Sequence, residues 1–198
     1  MADVAEKRMT VEEFFQWCDT QEGRWELVDG VPRPVFPMEQ LQGERHPRRG
    51  PTFGHQQLQA QAHDLVRRHA KPPRWSVTAF GVRIGDHGTR EPDIVLTAER
   101  VGMSARYTTA PLLVVEIISP STEREDRTAK LDEYKSLSSM REIWLVSSTR
   151  RWVQVWQRRD DGRWHGEDVI GTGSFESAVL EDAVGLVELY AGVEIEAG

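Results

Sequence analysis

The pattern of apolar and polar positions predicts a chain of short strands with three helices. A capping-box pattern of Thr10 and Glu13 predicts a short N-terminal helix, and apolar residues at helical spacing predict a second helix from about Thr52 to Ala70. A third, largely polar helix is predicted over Asp126–Ser138. Alternating or wholly apolar runs predict the strands, at Trp75–Ile84, Ile94–Thr97, Leu112–Ile118, Glu142–Ser147, Arg151–Gln157 and Arg163–Ile170.

Turn residues indicate how these elements are connected. Asp29-Gly30 and Asp161-Gly162 each lie between two extended runs, which is a strong hairpin signal. Pro37–Pro51 is rich in Pro, Gly and charged residues without periodicity, so it is predicted as a loop. The C-terminal part predicts one short strand and a last helical turn near Leu186–Tyr190. No repeat or linker interrupts the pattern, so we expect a single domain over residues 1–198.

The strand at 112–118 contains a single carboxylate. Glu116 shares one face with Leu112, Val114 and Ile118, whereas the other face is wholly apolar. A strand that is apolar on both faces is usually interior, and an ionised carboxylate there is costly unless something compensates it. A bound cation, a buried arginine or a shifted pKa would each do so. The polar helix that follows carries Asp126, Lys130 and Tyr134 on one face.

Composition restricts the class of protein. Of the 198 residues, 38% are hydrophobic and 29% charged, as in soluble globular proteins. The single cysteine, Cys18, excludes an internal disulfide and a Cys-rich zinc site, and it suits a reducing compartment. The first ten residues lack the apolar core of a signal peptide, and no apolar run approaches the roughly 18 residues of a membrane span. We therefore expect a cytoplasmic protein without a membrane partner.

Charge is distributed unevenly along the chain. The net charge is −7, but residues 165–198 contain eight acids and no Lys or Arg, so removing those eight charges leaves +1 for residues 1–164. Within Leu41–Trp75, seven basic residues stand against two acidic ones. This segment predicts a local basic surface suited to nucleic acid, or alternatively an ordinary solvated helix and loop.

Two acids and a lysine follow one another in an order that suits a metal site. Pro92-Asp93 heads one strand, Glu116 lies in the next long strand, and Lys130 follows on the helix. Two carboxylates on adjacent strands can hold a hard divalent cation such as Mg²⁺. Such a metal polarises a phosphodiester and activates water, while a nearby lysine offsets developing charge.

At this point the sequence resembles the PD-(D/E)XK restriction-endonuclease-like superfamily, and within it the Uma-type restriction endonuclease family. The match runs in order from Trp25 to Trp156, and each motif alone is weak whereas the ordered set is fairly specific. The matching residues are the ELVDG of Glu26–Gly30, His55, Pro92-Asp93, Val115-Glu116-Ile117, Ser119-Pro120-Ser121, the Asp126, Lys130, Tyr134 series, and Glu142 with Trp144.

The resemblance implies the α+β (α/β) class, with a restriction-endonuclease-like core. Its mixed central β-sheet would be flanked by helices, here with an additional N-terminal helix and hairpin. It also implies Mg²⁺- or Mn²⁺-dependent hydrolysis of DNA phosphodiester bonds, with Asp93, Glu116 and the backbone carbonyl of Ile117 as metal ligands. The superfamily's lysine two residues after the acid is replaced here by Ile118, and Lys130 on the next helix is implied as its substitute.

The resemblance assigns further residues around the metal ligands. Glu26 is implied as a metal-orienting or second-metal acid that approaches from the hairpin. His55, Asp126 and Tyr134 are implied as supporting residues, although His55 could be a purely structural hydrogen-bonding residue and Tyr134 part of the core. The family usually has Tyr where this chain has Ile143, a difference that we assign to packing.

Other candidate residues also have structural alternatives. Asp93 could cap a turn, and Glu26 could be a surface residue of the hairpin. Asp126 and Lys130 could form an exposed ion pair one helical turn apart.

Three functions compete at the level of sequence. A metal-dependent endonuclease acting on DNA is favoured because the acids and a lysine are all present in order. A catalytically degenerate nucleic-acid- or protein-binding module on the same fold is the alternative, supported by the missing in-strand lysine and the acidic balance. A third class is a structural dimerisation domain that uses the Trp-rich C-terminal strands, and a homodimer is also compatible with a nuclease.

Overall fold

A computed structural model describes residues 8–35, 38–41, 44–47, 51–118 and 124–195, with the backbone alone at 38–41, 44–47 and 124–127. Contacts divide the chain into two compact units. The smaller comprises Met1–Gly50 and Arg83–Glu91, and the larger comprises Pro51–Val82 and Pro92–Gly198. The expectation of one domain stays a prediction, and the two units are described in turn.

The smaller unit begins with the predicted N-terminal helix. Helix α1 (Val11–Cys18) has the capping box: Glu13 N donates to Thr10 Oγ1 at 3.2 Å, and Thr10 N donates to Glu13 Oε2 at 2.9 Å. These two bonds satisfy amide donors that the helix itself leaves without partners. The helix buries Val11 and Phe14 on one side.

The hairpin at Asp29-Gly30 is confirmed. Strands β1 (Trp25–Val28) and β2 (Val31–Pro34) pair antiparallel, with Val28 opposite Val31. Asp29 and Gly30 have φ values of 49° and 79°, the left-handed conformation that a two-residue hairpin turn needs. A Cβ on Gly30 would lie 2.5 Å from the Cβ of Arg8, so no larger residue fits there without movement.

The predicted loop at Pro37–Pro51 is wrong in part. Strands β3 (Met38–Leu41) and β4 (Glu44–Pro47) pair antiparallel within it. The two strands are joined by hydrogen bonds between backbone groups. The short hairpin therefore forms without the alternation of apolar and polar residues from which strands are predicted.

The larger unit contains the central sheet. Its strands are β5 (Trp75–Thr78), β8 (Ile94–Thr97), β10 (Pro111–Ile118), β11 (Glu142–Ser147), β12 (Trp152–Arg158) and β13 (Trp164–Ile170). Their order across the sheet is β13-β12-β11-β10-β8-β5; β10 and β11 are parallel, and the remaining neighbours are antiparallel. The sheet is therefore mixed, as the fold class requires.

Two helices complete this core. Helix α2 (Phe53–His69) is capped by Thr52 and packs its apolar stripe into the main cluster of buried residues, together with Leu113, Val115 and Ile117 of β10. Helix α3 (Arg124–Ser136) connects β10 to its parallel neighbour β11, as parallel strands require a long crossover. Residues 113–115 of β10 have no exposed surface, so the strand is interior as predicted.

The single strand expected at Trp75–Ile84 is wrong, because the chain breaks it. Ala79 has a φ of 48°, which no strand accommodates. The break ends β5 at Thr78 and starts β6 (Gly81–Ile84), whose first residues pair in parallel with β9 (Tyr107–Thr108). An alternating pattern continues across the break, which is why the sequence did not reveal it.

Near its C-terminus the larger unit has one more strand than predicted. Strands β14 (Ser174–Ser177) and β15 (Asp182–Gly185) form a hairpin, and helix α4 (Leu186–Leu189) follows. In the smaller unit, β7 (Gly88–Arg90) pairs with β1. None of the helices in the described parts of the chain has the length and apolarity to cross a bilayer.

The two charge anomalies of the sequence compensate each other. On α2, Arg68 pairs with Glu188 at 2.9 Å and His69 with Asp182 at 2.9 Å. Just beyond the helix, Lys71 binds Glu181 at 2.7 Å. Ion pairs to Asp64 and Glu181 likewise engage Arg67 and Arg74. The basic residues of α2 and of the segment after it are thus paired with acids of the C-terminal segment or with Asp64 of α2 itself, and Arg45, Arg48 and Arg49 lie outside the described side chains.

Candidate active site

Asp93 is held at the start of β8 by two long-range hydrogen bonds. Its Oδ2 accepts from the backbone N–H of Ile117 at 2.7 Å, and its Oδ1 lies 2.9 Å from Nε2 of His55 on α2. Asp93 is 9% exposed. Both partners lie far along the chain, so these contacts are not those of the local turn cap that the sequence left open. They hold a buried carboxylate in one orientation.

Glu116 is half-buried near the end of β10. Its Oε1 accepts a hydrogen bond of 2.7 Å from the hydroxyl of Tyr134 on α3. The tyrosine is 1% exposed, which confirms its predicted burial, and its hydroxyl also supports the acid. A cation, an arginine or a shifted pKa was expected to compensate Glu116, and nothing in the sequence indicated this hydroxyl.

The sheet register brings the two acids together. β10 and β8 pair antiparallel, with Val115 opposite Ile94. Continuing this register by one residue sets Asp93 beside Glu116, and the hydrogen bond from Ile117 N–H to Asp93 shows that the two segments still touch there. In an extended strand the C=O of a residue points to the same side as its N–H. The Ile117 carbonyl therefore points from β10 towards the side on which Asp93 lies.

Lys130 lies on α3 one turn before Tyr134 and is partly buried. Residues at this spacing share a helix face, so the lysine lies on the face of α3 that meets Glu116 through Tyr134.

The C-terminal end of α3 is anchored to the sheet, because Arg158 Nη2 and Trp164 Nε1 both donate to the carbonyl of Lys135 at 2.5 and 3.3 Å. Burial lowers the pKa of Lys135, whose ammonium lies over the Trp156 ring.

Glu26 belongs to the smaller unit and has partners there. Its Oε2 lies 3.0 Å from Nη1 of Arg90, and its Oε1 accepts from the backbone N–H of Glu91 at 3.0 Å. Glu26 and Arg90 are 4% and 2% exposed, so the interpretation of Glu26 as a surface residue is wrong. Its role as a metal-orienting or second-metal acid stays a prediction.

The remaining predicted site residues are located only in part. Asp126 lies in the first turn of α3, but its side chain is outside the described ones, as are residues 119–123 with the Ser-Pro-Ser motif. The proposed ion pair of Asp126 with Lys130 therefore stays open. Glu142, another residue of the family match, is fully buried, and the indole of Trp144 donates to it at 3.1 Å.

One contributor was missed from the sequence. Gln59 donates its amide Nε2 to the backbone carbonyl of Asp93 at 2.9 Å. It lies four residues after His55, on the same face of α2. The helical spacing from His55 was the available signal, although an amide on a helix face is common enough that the signal alone predicts little.

The side chains of the candidate site provide mainly oxygen ligands, which decides the kind of metal ion that suits them. Among the side chains that the structure describes, no group of three or more His, Cys, Asp or Glu has the spacing of a metal site. A closed zinc site, which takes four protein ligands, does not fit this part of the chain. Mg²⁺ usually binds through one or two carboxylates together with water and substrate phosphates. Two carboxylates and a backbone carbonyl are compatible with that pattern.

The mixed sheet with its helices defines an α+β protein of the restriction-endonuclease-like class. The chain belongs to the family described as "Uma2: Putative restriction endonuclease", whose model matches residues 11–189.

The chain is also similar to two individual proteins, one by sequence and one by structure. It is 27% identical over 161 residues to an uncharacterized protein, slr1290, from Synechocystis, a match that covers 79% of this chain and 78% of that protein. The structure of this chain is similar to the crystal structure of a protein from Anabaena variabilis described as a "putative nuclease belonging to DUF820". The TM-score is 0.63 at 17% identity, over 92% of this chain and 98% of the other. At that identity the second similarity concerns the fold.

Proposed function

We propose that this protein is an endonuclease that hydrolyses phosphodiester bonds of DNA with Mg²⁺ or Mn²⁺. The observation that carries the proposal is the arrangement of Asp93 and Glu116, which come from neighbouring strands and lie opposite each other where β8 begins and β10 ends. Membership of a family described as "Putative restriction endonuclease" supports the same chemistry. The homodimer and the cytoplasmic location expected from the sequence stay predictions.

In this proposal Asp93, Glu116 and the carbonyl of Ile117 hold the divalent cation. When bound, the cation polarises the phosphodiester and activates water for attack. His55 and the Ile117 N–H keep the Asp93 carboxylate in place, and the Tyr134 hydroxyl does the same for Glu116. Fixed ligands need less reorganisation when metal and substrate bind, which favours the reaction.

Lys130 has a separate task. Its position one turn before Tyr134 supports a place near the acid pair, where an ammonium would offset negative charge that develops on the phosphate. A lysine on the helix would thus do the work of the in-strand lysine that Ile118 replaces. The test is a Lys130→Gln variant, which should bind DNA normally but cleave it slowly.

The main experiment measures nicking of supercoiled plasmid with Mg²⁺ or Mn²⁺. Wild type is compared with Asp93→Asn and Glu116→Gln, which keep side-chain size and remove charge. Supporting residues of metal sites typically contribute about 10–100-fold, so loss of a ligand should reduce cleavage by about 100-fold or more. Glu167→Gln is the matched control, because Glu167 is an exposed acid on β13 of the same sheet.

The outcomes separate the competing functions. Cleavage that is lost in both site variants and retained in Glu167→Gln supports the assignment, provided that circular dichroism shows all variants folded. Equal cleavage by wild type and site variants contradicts it. Binding of DNA without cleavage by wild type would favour the degenerate binding module instead.

A further inference from the structure

The turn between β11 and β12, residues 148–151, lies at the same end of the sheet as the acid pair. β10 and β11 run parallel, with Glu116 opposite Leu145 and Ile118 opposite Ser147. The backbone N–H and the hydroxyl of Ser148 both donate to the carbonyl of Ile118, at 2.9 and 3.1 Å. In open sheets, ligands bind outside the carboxyl ends of parallel strands. This turn and the acid pair share such an end.

Two adjacent arginines are exposed in this turn. Arg150 and Arg151 follow directly on Thr149, and neither forms an ion pair with any residue that the structure describes. The basic residues of α2 differ, since Arg67 and Arg68 are paired with acids. Two adjacent exposed guanidinium groups can attract an anion such as a phosphate locally, although the net charge of the protein is −7.

The turn is also held in one conformation. The Tyr190 hydroxyl lies 2.8 Å from the carbonyl of Ser147 and 2.9 Å from that of Trp152, which fixes both ends. Gly171 N–H donates to the carbonyl of Arg151 at 3.0 Å, and the Arg150 guanidinium lies 5.2 Å from the centre of the Trp152 ring. A guanidinium stacked on an indole loses less freedom when it binds, and its fork of N–H groups matches phosphate oxygens.

The two arginines start close to the acid pair along the backbone. An extended chain advances at most about 3.5 Å per residue, so Arg150 starts within about 7 Å of Ser148, which touches β10 two residues beyond Glu116. We propose that Arg150 and Arg151 bind the phosphodiester backbone of duplex DNA and position it over the acid pair. This deepens the proposed function by naming the surface that receives the substrate.

The test measures binding without cleavage, so that it does not depend on the acids. A short fluorescently labelled DNA duplex is titrated in EDTA at several salt concentrations, and the slope of log K against log salt is determined. Each phosphate contact contributes about 0.9 to that slope. The double variant Arg150→Gln/Arg151→Gln should therefore reduce its magnitude by about 1.8, whereas Arg150→Lys/Arg151→Lys should retain most of it because the charges remain.

The double variant Arg159→Gln/Arg163→Gln is the matched control, because both arginines are exposed at the opposite end of β12, in the turn to β13. Its slope should equal that of wild type. An Arg150→Gln/Arg151→Gln variant that keeps the wild-type slope, an equal loss in the control double variant, or a wild type that does not bind the duplex would each overturn the proposal. Wild-type protein that binds with the expected slope but never cleaves overturns the proposed function and leaves the assignment of this turn standing.

Discussion

Removal of the Glu142 carboxylate should destabilise the protein strongly. Glu142 lies at the start of β11 with no exposed surface. Its Oε1 accepts from Gln157 Nε2 and the Val179 N–H at 3.3 and 3.2 Å, and its Oε2 accepts from Trp144 Nε1 and the Ser177 hydroxyl at 3.1 and 2.8 Å. These donors join β11 and β12 to the C-terminal hairpin.

The expected loss in the free energy of unfolding follows from the number and kind of donors whose hydrogen bonds Glu142 accepts. Each buried donor left without an acceptor costs about 1–3 kcal/mol. Glu142→Ala removes the acceptor of all four, so we expect the free energy of unfolding to fall by at least about 4 kcal/mol. Glu142→Gln keeps one oxygen, but either orientation of its amide sets an NH₂ group against an N–H of Trp144 or Val179, neither of which can accept. We expect a loss of about 1–3 kcal/mol for Gln.

Urea unfolding followed by tryptophan fluorescence measures both changes. Glu167→Gln on the exposed face of β13 makes the same chemical change without burial and should stay within about 0.5 kcal/mol of wild type. If Glu142→Gln is as stable as this control, the four hydrogen bonds do not hold the hairpin and the reasoning is refuted.

Three further predictions concern single side chains. His55→Ala removes the contact with Asp93 Oδ1 and should weaken Mn²⁺ binding about 10–100-fold in calorimetry; unchanged affinity would exclude the supporting role. Burial tends to raise the pKa of Glu99, but hydrogen bonds from the Thr108 hydroxyl and neighbouring donors outweigh it, so the pKa lies below the ordinary 4.5. A lowered folded-state pKa stabilises the protein above pH 4.5, and the stability advantage of wild type over Glu99→Gln should shrink as acid unfolding is followed below it. Burial raises the pKa of Tyr190 to about 12, and Tyr190→Phe should lower the free energy of unfolding by about 1–3 kcal/mol in urea, because buried carbonyls lose their donor.

Local order was readable from the sequence wherever neighbouring residues alone determine it. The capping box of Thr10 and Glu13 and the turn at Asp29-Gly30 depend on contacts within a few residues, and both form as predicted. The interior strand of Glu116 was evident because apolar residues on both faces have no stable place at a surface. The family pattern supplied the fold class, since its motifs keep their order along the chain.

Long-range partners were decided only by the tertiary structure. Nothing near His55 in the sequence indicates that it meets Asp93, or that a tyrosine hydroxyl reaches Glu116. The sequence contained a basic helix and an acidic C-terminal segment, but only the fold pairs Arg68 with Glu188 and leaves Arg150 and Arg151 exposed in another turn. Strand register and helix placement determine which distant side chains come within hydrogen-bonding distance, and these depend on how the whole core packs rather than on any local pattern.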